Sequence, residues 1–237
     1  MSLVIEVSKV SYFDAGHSLT DLGGGSNIHA GRHQLTLTVL VSLSRQSTSA
    51  SSEVRHSALS SLSRAILGPL VVVSHADIAE VFQRVLYPLL EALIAAPGNV
   101  ETTESRLRAS VLLCKAFMRF EVSDNVMGED VTECWMQVLD FLGRLVRIDQ
   151  SEQLVRFAFL SDTCNGWLIC SQSEAVHESL KNVILVMHAA GMLLPSLAME
   201  HDDLQNEGQL WHITKDKIEQ FIPGFLESIV PLSPPRP

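Results

Sequence analysis

The amino-acid sequence predicts an all-α protein in which antiparallel helix pairs stack as an α-solenoid of the HEAT or armadillo type. Apolar residues recur at helical spacing from about residue 52 onward, in several successive segments. Hydrophobic residues make up 46% of the chain and charged residues 19%, which permits a large core. Helices with wide apolar faces cannot bury them alone, so stacked pairs are expected. No strict repeat is visible, and the solenoid prediction therefore rests on the succession of helices.

Residues 1–45 are expected to be a poorly defined leader rich in glycine and serine. Within them, residues 16–20 read GHSLT and resemble the G-x-S-x-G turn that carries a serine nucleophile, except at the last position. A catalytic Ser18 would require a parallel sheet, but no alternation of strands with helices follows it. A flexible leader is favoured, and a serine hydrolase stays a distant alternative.

Residues 34–44, QLTLTVLVSLS, show a strand-like pattern in a helical context. Leucine and valine alternate there with small polar residues, which locally favours a strand. A single strand has no ladder partner in a stack of helices, so tertiary packing could make the segment helical.

The first two periodic segments are predicted to be helices over residues 53–69 and 76–94. Gly68 and Pro69 end the first helix, and Pro88 predicts a kink in the second rather than a break. The expected buried stripes are Val54, Ala58, Leu62 and Ile66, then Ile78, Val81, Phe82, Val85, Leu86, Leu89 and Leu93.

Three further helices are predicted over residues 104–117, 130–146 and 178–187 because apolar residues again recur every three or four positions. Their expected stripes are Leu107, Val111, Cys114 and Met118; Val131, Trp135, Val138, Leu139, Leu142 and Val146; and Leu180, Val183, Ile184 and Met187.

The last helix is predicted over residues 214–230, with Thr214 as its N-cap and Pro223 inside it. Its stripe comprises Ile218, Phe221, Ile222, Phe225 and Ile229. Residues 155–172 lack clear periodicity and are expected to be an insertion within a helical domain that spans residues 46–230. Residues 231–237 are expected to be a disordered tail.

Charge and cysteine content limit the function classes. The formal net charge of −10 argues against nucleic acid and against a polybasic membrane anchor as the main partner. The N-terminus does not resemble a signal peptide, and no apolar run is long enough to span a membrane. Cysteines without C-x-x-C spacing indicate reduced thiols in an intracellular protein: Cys114, Cys134, Cys164 and Cys170.

Five segments occur in the order and spacing of one known family: RVLYPLLEAL (84–93), ESRLRASVLLCKAF (104–117), WMQVLDFLGRL (135–145), ESLKNVILVM (178–187) and LWHITKDKIEQFIP (210–223). They resemble the C-terminal region of the large Golgi-specific brefeldin A-resistance guanine nucleotide exchange factors for Arf GTPases, most like fungal members. The resemblance covers roughly residues 50–230. Residues 155–172 and the first 45 residues have no evident counterpart in it.

The resemblance implies a regulatory region downstream of a catalytic domain. The family's FRLPGE catalytic-loop motif has no counterpart here, so no residue receives the exchange role and no cofactor is implied. Implied partners are the Arf-family GTPase machinery, other domains of the exchange factor and Golgi membrane lipids. The implied location is the cytoplasmic face of Golgi membranes, with peripheral attachment. A generic HEAT-like interaction scaffold is the main alternative.

Four residues are candidates for a partner surface: Arg106, Arg108, Lys181 and Trp211. For the two arginines a structural role, fixing repeat geometry through neighbouring carbonyls or carboxylates, is favoured, with Glu101 and Glu104 as near partners.

Other polar and aromatic candidates have simpler interpretations. Trp135, at helical spacing among aliphatic residues, is expected in the core, whereas Trp211 beside a loop is the better interface candidate. Lys181 is also expected to pair with Glu178 along its helix. His29 and His33 are interpreted as a surface pair rather than metal ligands, because the motif H-E-x-x-H is incomplete.

Overall fold

The computed structural model describes residues 25–68, 75–119, 129–159, 171–194 and 205–230. Within these ranges all regular secondary structure is helical, which confirms the all-α prediction. The described helices are α1 (Gly25–Gln46), α2 (Ser52–Leu67), α3 (His75–Val81), α4 (Tyr87–Ala95), α5 (Val100–Phe117), α6 (Glu129–Phe159), α7 (Ser171–Ala189), α8 (Gln205–Glu219) and α9 (Phe225–Ile229), with a π-helical turn at Phe82–Leu86 between α3 and α4.

The chain divides into two compact units within α1, between Thr36 and Leu37. Of the first unit, residues 25–36 are described, and they are helical. The second unit begins at Leu37 and contains the hydrophobic core and the other described helices.

Helix α1 replaces the strand pattern seen in residues 34–44. Leu37 and Leu40 are each 1% exposed, and Leu43 and Ser44 are also buried, which gives one helical face. Leu35, which belonged to the alternating pattern, is exposed. The local strand preference is therefore overridden, because a helix can bury this face against neighbouring helices without any ladder partner. The helix also occupies part of the predicted leader.

Helix α2 confirms the prediction over residues 53–69 with one correction. Ala58, Leu62 and Ile66 are buried as expected, but Val54 is exposed and Arg55 beside it is buried. The Arg55 guanidinium donates to the Ser49 carbonyl at 2.7 Å and the Ala50 carbonyl at 2.9 Å, and it pairs with Glu101. These contacts hold the α1–α2 turn against α5.

The chain stays helical through Pro88, as predicted. The helix adapts by widening in the π turn, where the Tyr87 N–H donates to the Phe82 carbonyl five residues earlier. Proline lacks an N–H and its ring crowds the preceding turn, so a π turn just before it relieves both effects. The Ser44 hydroxyl, from α1, donates to the Val85 carbonyl in this turn at 3.0 Å.

Helix α5 lies at the centre of the second unit and packs against α2, α4, α6 and α7. Its predicted stripe is partly wrong. Cys114 is buried, but Leu107, Val111 and Met118 are only half-buried. The more deeply buried positions are Ala109, Leu112, Leu113, Ala116 and Phe117. Because α5 is surrounded by four helices, it buries a broader face than a single stripe indicates.

Helices α6 and α7 bury all the residues predicted for them, from Val131 to Val146 and from Leu180 to Met187. Trp135 is in the core, as predicted, stacked on Phe117 with ring centroids 5.1 Å apart. Its indole N–H donates to the Thr214 hydroxyl in α8 at 2.9 Å, which joins α6 to α8.

The predicted start of the last helix is wrong. Thr214 does not cap a helix but lies inside α8, which begins at Gln205. The helix ends at Glu219, five residues before Gly224, whose φ of 72° lies in the left-handed region that glycine tolerates. Pro223 and Gly224 therefore divide the predicted helix into α8 and the short α9. Ile218 and Phe221 are buried, as expected.

The remaining predicted segments are only partly described. Residues 155–159 of the predicted insertion belong to α6 and residues 171–172 to α7, while residues 160–170 lie outside the described residues. The predicted tail, residues 231–237, also lies outside them. Among the helices that the structure describes, none is long and apolar enough to cross a bilayer.

Candidate functional site

A groove of about 510 Å³ lies between α2, α5 and α7, and the predicted surface residue Arg108 lines it. We call it the basic groove. Helix α5 contributes one wall and most of the floor, α2 the opposite wall, and α7 a single residue near its start. The lining residues are Leu59, Ser60, Ser63, Arg64, Leu107, Arg108, Val111, Leu112, Lys115 and Ala175.

Helical spacing places these side chains together. On α5, Leu107, Val111 and Lys115 are four residues apart and therefore share one face. Residues 59, 60, 63 and 64 follow the same rule on α2. Leu59 and Leu112 are buried and close the bottom of the groove, whereas Leu107 and Val111 are half-buried and partly accessible from it. The result is an apolar floor between two polar rims.

The charges that line the basic groove, among the residues that the structure describes, are all positive. Arg64, Arg108 and Lys115 are exposed, and no carboxylate is among the described lining residues. Arg108 donates to Glu104, one helical turn earlier, at 2.6 Å, and His56 Nε2 lies 3.3 Å from the other oxygen of that carboxylate. Within the part of the chain that the structure describes, Arg64 and Lys115 form no ion pair. The groove thus presents at least two available cations above an apolar floor.

Arg106 has the structural role that the sequence favoured, with a different carboxylate. Its side chain is 5% exposed and donates to the Leu93 carbonyl at 2.9 Å, the Ala96 carbonyl at 2.7 Å and Glu152 at 2.7 Å. The two carbonyls lie at the C-terminal end of α4, where backbone acceptors lack helical partners and a cation is favourable. Arg106 therefore joins α4, α5 and α6 and is not part of an accessible surface.

Gly98 makes room for the Glu152 carboxylate. A Cβ atom at position 98 would overlap the carboxylate oxygens of Glu152. Glycine in the α4–α5 connection thus allows the carboxylate to approach the backbone while it binds Arg106.

The other two predicted surface residues lie apart from the basic groove's lining. Trp211, the interface candidate, is 3% exposed and belongs to the core, so it offers no accessible surface in this chain. Lys181 is exposed on α7 and lies 3.7 Å from Glu178, as the i, i+3 spacing predicted. A partner-binding role stays a prediction for Arg108 and Lys181.

A second groove, between the π turn, α4, α6 and α8, differs in charge. Its cations are paired: Arg144 binds Glu91 through two hydrogen bonds of 2.5 and 2.7 Å, and Lys217 donates to Asp140 at 3.1 Å. The Arg144 hydrogen bond lowers the pKa of Glu91, despite a smaller opposing effect of burial. Both of these cations are therefore neutralised by carboxylates, and Glu133 adds a further negative charge to the lining, unlike in the basic groove.

The described residues offer no metal-binding cluster. No group of three metal-ligating side chains is found among them. Cys114 is buried, as its helical stripe predicted, and this burial raises the pKa of its thiol to about 12, so the thiol is inert. Ser18, Cys164 and Cys170 lie outside the described residues.

Sequence reasoning identified the basic residues of α5 but not the groove. Arg64 lies on a different helix, more than forty residues earlier in the chain, and no local pattern relates it to Arg108. Glu152 was missed as the partner of Arg106 because the two residues are 46 positions apart. Opposite charges at facing positions of two predicted helices are the signal that could have identified the pair of Arg106 and Glu152.

The model of one protein family matches residues 36–225 of this chain, and its description reads "GBF1-like, tetratrico peptide repeat region". Tetratrico peptide repeats are helix pairs that stack into solenoids, as HEAT and armadillo repeats are. The match agrees with the predicted architecture and names another repeat of the same kind.

The chain is also similar to a curated protein from Caenorhabditis elegans, the Golgi-specific brefeldin A-resistance guanine nucleotide exchange factor 1 homolog. The two are 25% identical over 203 residues, which make up 84% of this chain and 9% of that protein. This chain therefore spans about a tenth of the length of its relative. No solved structure matches it.

Proposed function

Because the chain belongs to the GBF1-like tetratrico peptide repeat region family, we propose that it is a regulatory helical region of an Arf guanine nucleotide exchange factor. It positions the exchange factor and does not itself catalyse exchange. The observation that carries this proposal is the extent of the family match, which runs from α1 into α9. The relative's printed name, a Golgi-specific guanine nucleotide exchange factor homolog, supports the same context.

Binding through a surface suits this architecture better than catalysis does. Stacked helix pairs present extended grooves to partners, and the basic groove is of this kind. The sequence also lacks a counterpart of the FRLPGE motif of the exchange domain. The functional unit we propose is the helical domain of residues 46–230 together with the part of α1 that places Leu37, Leu40 and Leu43 in the same core. Arg108 and Lys181 are its surface candidates.

The proposed setting is Golgi and early secretory vesicle traffic, at the cytoplasmic face of Golgi membranes with peripheral attachment. The proposed partners are Arf-family GTPases and their machinery, other domains of the exchange factor, and Golgi membrane lipids. A net charge of −10 argues against nucleic acid.

Liposome flotation tests this function. The purified chain is mixed with liposomes of Golgi-like composition, alone, with GDP-loaded Arf, and with GTP-loaded Arf. We expect the chain to float with the liposomes, more strongly when GTP-loaded Arf is present. In parallel, the chain is tested for binding to the catalytic half of the exchange factor. A chain that neither floats nor binds that half would overturn the positioning role and leave a generic scaffold.

A further inference from the structure

We propose that the basic groove binds an acidic amphipathic helix of a partner protein. The inference rests on the proposed positioning role and adds the chemistry of one partner to it. The helix would lay an apolar stripe on the floor formed by Leu107 and Val111. Its carboxylates would meet the three cations of the rims.

The charge of the basic groove is opposite to that of the whole chain. Acidic residues outnumber basic ones by 27 to 17 in the chain, yet the described lining of this groove contains three basic residues and no carboxylate. A local positive field on an acidic protein attracts an anionic partner and repels a basic one. The second groove does not share this property, because its cations are paired with carboxylates.

The cations differ in their availability to a ligand. Arg64 and Lys115 form no ion pair with other described residues, so a partner's carboxylates need not displace an existing contact. Arg108 shares Glu104 with His56, and its contact is an exposed pair of one helical turn. Such pairs are weak, so Arg108 can also turn towards a partner.

The lining of the basic groove suits one face of a helix. The groove has a volume of about 510 Å³, and its floor is apolar and half-buried, so apolar side chains of a helix can enter it. The α2 wall carries Ser60 and Ser63, whose small side chains allow another backbone to approach closely. Helices commonly bind such clefts by placing residues i, i+3, i+4 and i+7 on the apolar floor.

A membrane surface fits these observations less well. A bilayer surface is flat, whereas the apolar floor lies in a recess between helices. The floor side chains are half-buried there, so a flat surface would reach them poorly. An anionic bilayer covers a whole face of the chain and would also meet acidic surface outside the groove, whereas a single helix would contact mainly the groove itself. The structure therefore favours a convex protein ligand.

Fluorescence anisotropy with a designed peptide tests the proposal on the full chain. The probe is a labelled amphipathic helix with leucines on one stripe and glutamates on both sides of it. One comparison peptide carries lysine at every glutamate position, and another keeps the composition but scatters the leucines. We expect a Kd on the order of 10 µM for the acidic amphipathic probe. Both comparison peptides should bind at least roughly tenfold more weakly.

Protein variants locate the binding. The double variant R64E/K115E should weaken the acidic probe roughly tenfold or more, and raising the salt concentration should weaken binding to the unaltered chain. The matched control is R45E/R147E, two exposed charge reversals outside the groove lining, which should keep the Kd within about twofold. Circular dichroism checks folding, and R64Q/K115Q replaces the double reversal if that variant unfolds.

Three results would overturn the inference: no saturable binding of the acidic probe, equal binding of the lysine peptide, or an unchanged Kd for the double variant. Binding of anionic vesicles that depends on Arg64 and Lys115, without peptide binding, would assign the groove to lipid instead. The flotation experiment stands apart. If the chain floats with liposomes but does not bind the acidic peptide, only the inference about the basic groove is overturned. If it binds the peptide but does not float, only the proposed role at membranes is overturned.

Discussion

Replacing Arg106 by methionine should destabilise the chain far more than the same change at Arg108, two residues further along α5. Arg106 is 5% exposed and holds two carbonyls at the end of α4 together with Glu152. Arg108 is 43% exposed and, among the described side chains, binds only Glu104. Both substitutions remove one positive charge and keep a long side chain, so the pair isolates the effect of the buried contacts.

The expected difference follows from the groups left without partners. In the Arg106→Met variant, the Leu93 and Ala96 carbonyls lose the Arg106 donor. Each desolvated carbonyl left without a donor should lower the free energy of unfolding by about 1–3 kcal/mol. Glu152 is 22% exposed and can regain water, so it adds less. The sum is roughly 3–4 kcal/mol, which lowers the Tm by about 10 °C in a chain of this size. The Arg108→Met variant loses an exposed i, i+4 pair, about 0.3–0.5 kcal/mol.

Urea unfolding followed by far-ultraviolet circular dichroism measures both free energies of unfolding. The midpoint should fall clearly for Arg106→Met and stay close to that of the unaltered chain for Arg108→Met. A difference of less than about 1 kcal/mol between the two variants would refute the view that Arg106 joins α4, α5 and α6.

The other predictions concern buried contacts. Gly98→Ala should destabilise the chain by about 1–2 kcal/mol, because the new methyl group displaces the Glu152 carboxylate. In a double-mutant cycle, the same substitution should destabilise a Glu152→Ala variant less. Trp135→Phe should cost about 1–3 kcal/mol, because the Thr214 hydroxyl loses its donor; urea unfolding measures it, and an unchanged midpoint would contradict the contact. Because its pKa is raised, the Cys114 thiol stays neutral in the folded chain while it ionises in the unfolded chain. The free energy of unfolding should therefore fall between pH 9.0 and about 12, and it should fall less in Cys114→Ala.

Helical periodicity predicted most of the fold. The stripes of α6 and α7 are buried at every predicted position because each depends only on spacing within its own helix. Prediction was weaker where neighbours decide the outcome. Residues 34–44 have a strand pattern but form a helix, and Thr214 resembled a cap but binds Trp135 from within α8. In both cases tertiary contacts outweighed a local preference.

The candidate site was predicted only in part. The sequence identified Arg108 and the structural role of Arg106, but it placed Trp211 at an interface although that side chain is buried. Whether a tryptophan packs inside or faces a partner depends on which helices lie next to it, and a single helical segment does not contain that information.

By itself, the sequence determined that the chain is helical, which faces of most helices are apolar, and which family it resembles. These properties follow from short-range spacing and from motifs in order along the chain. Only the tertiary structure decided which charges are buried, which are paired and which remain available in the basic groove. Arg106 binds Glu152, and Arg64 lines the same groove as residues of α5, because packed helices bring together residues that are far apart in the sequence. Those contacts depend on how the helices pack and on desolvation, which residue spacing does not encode.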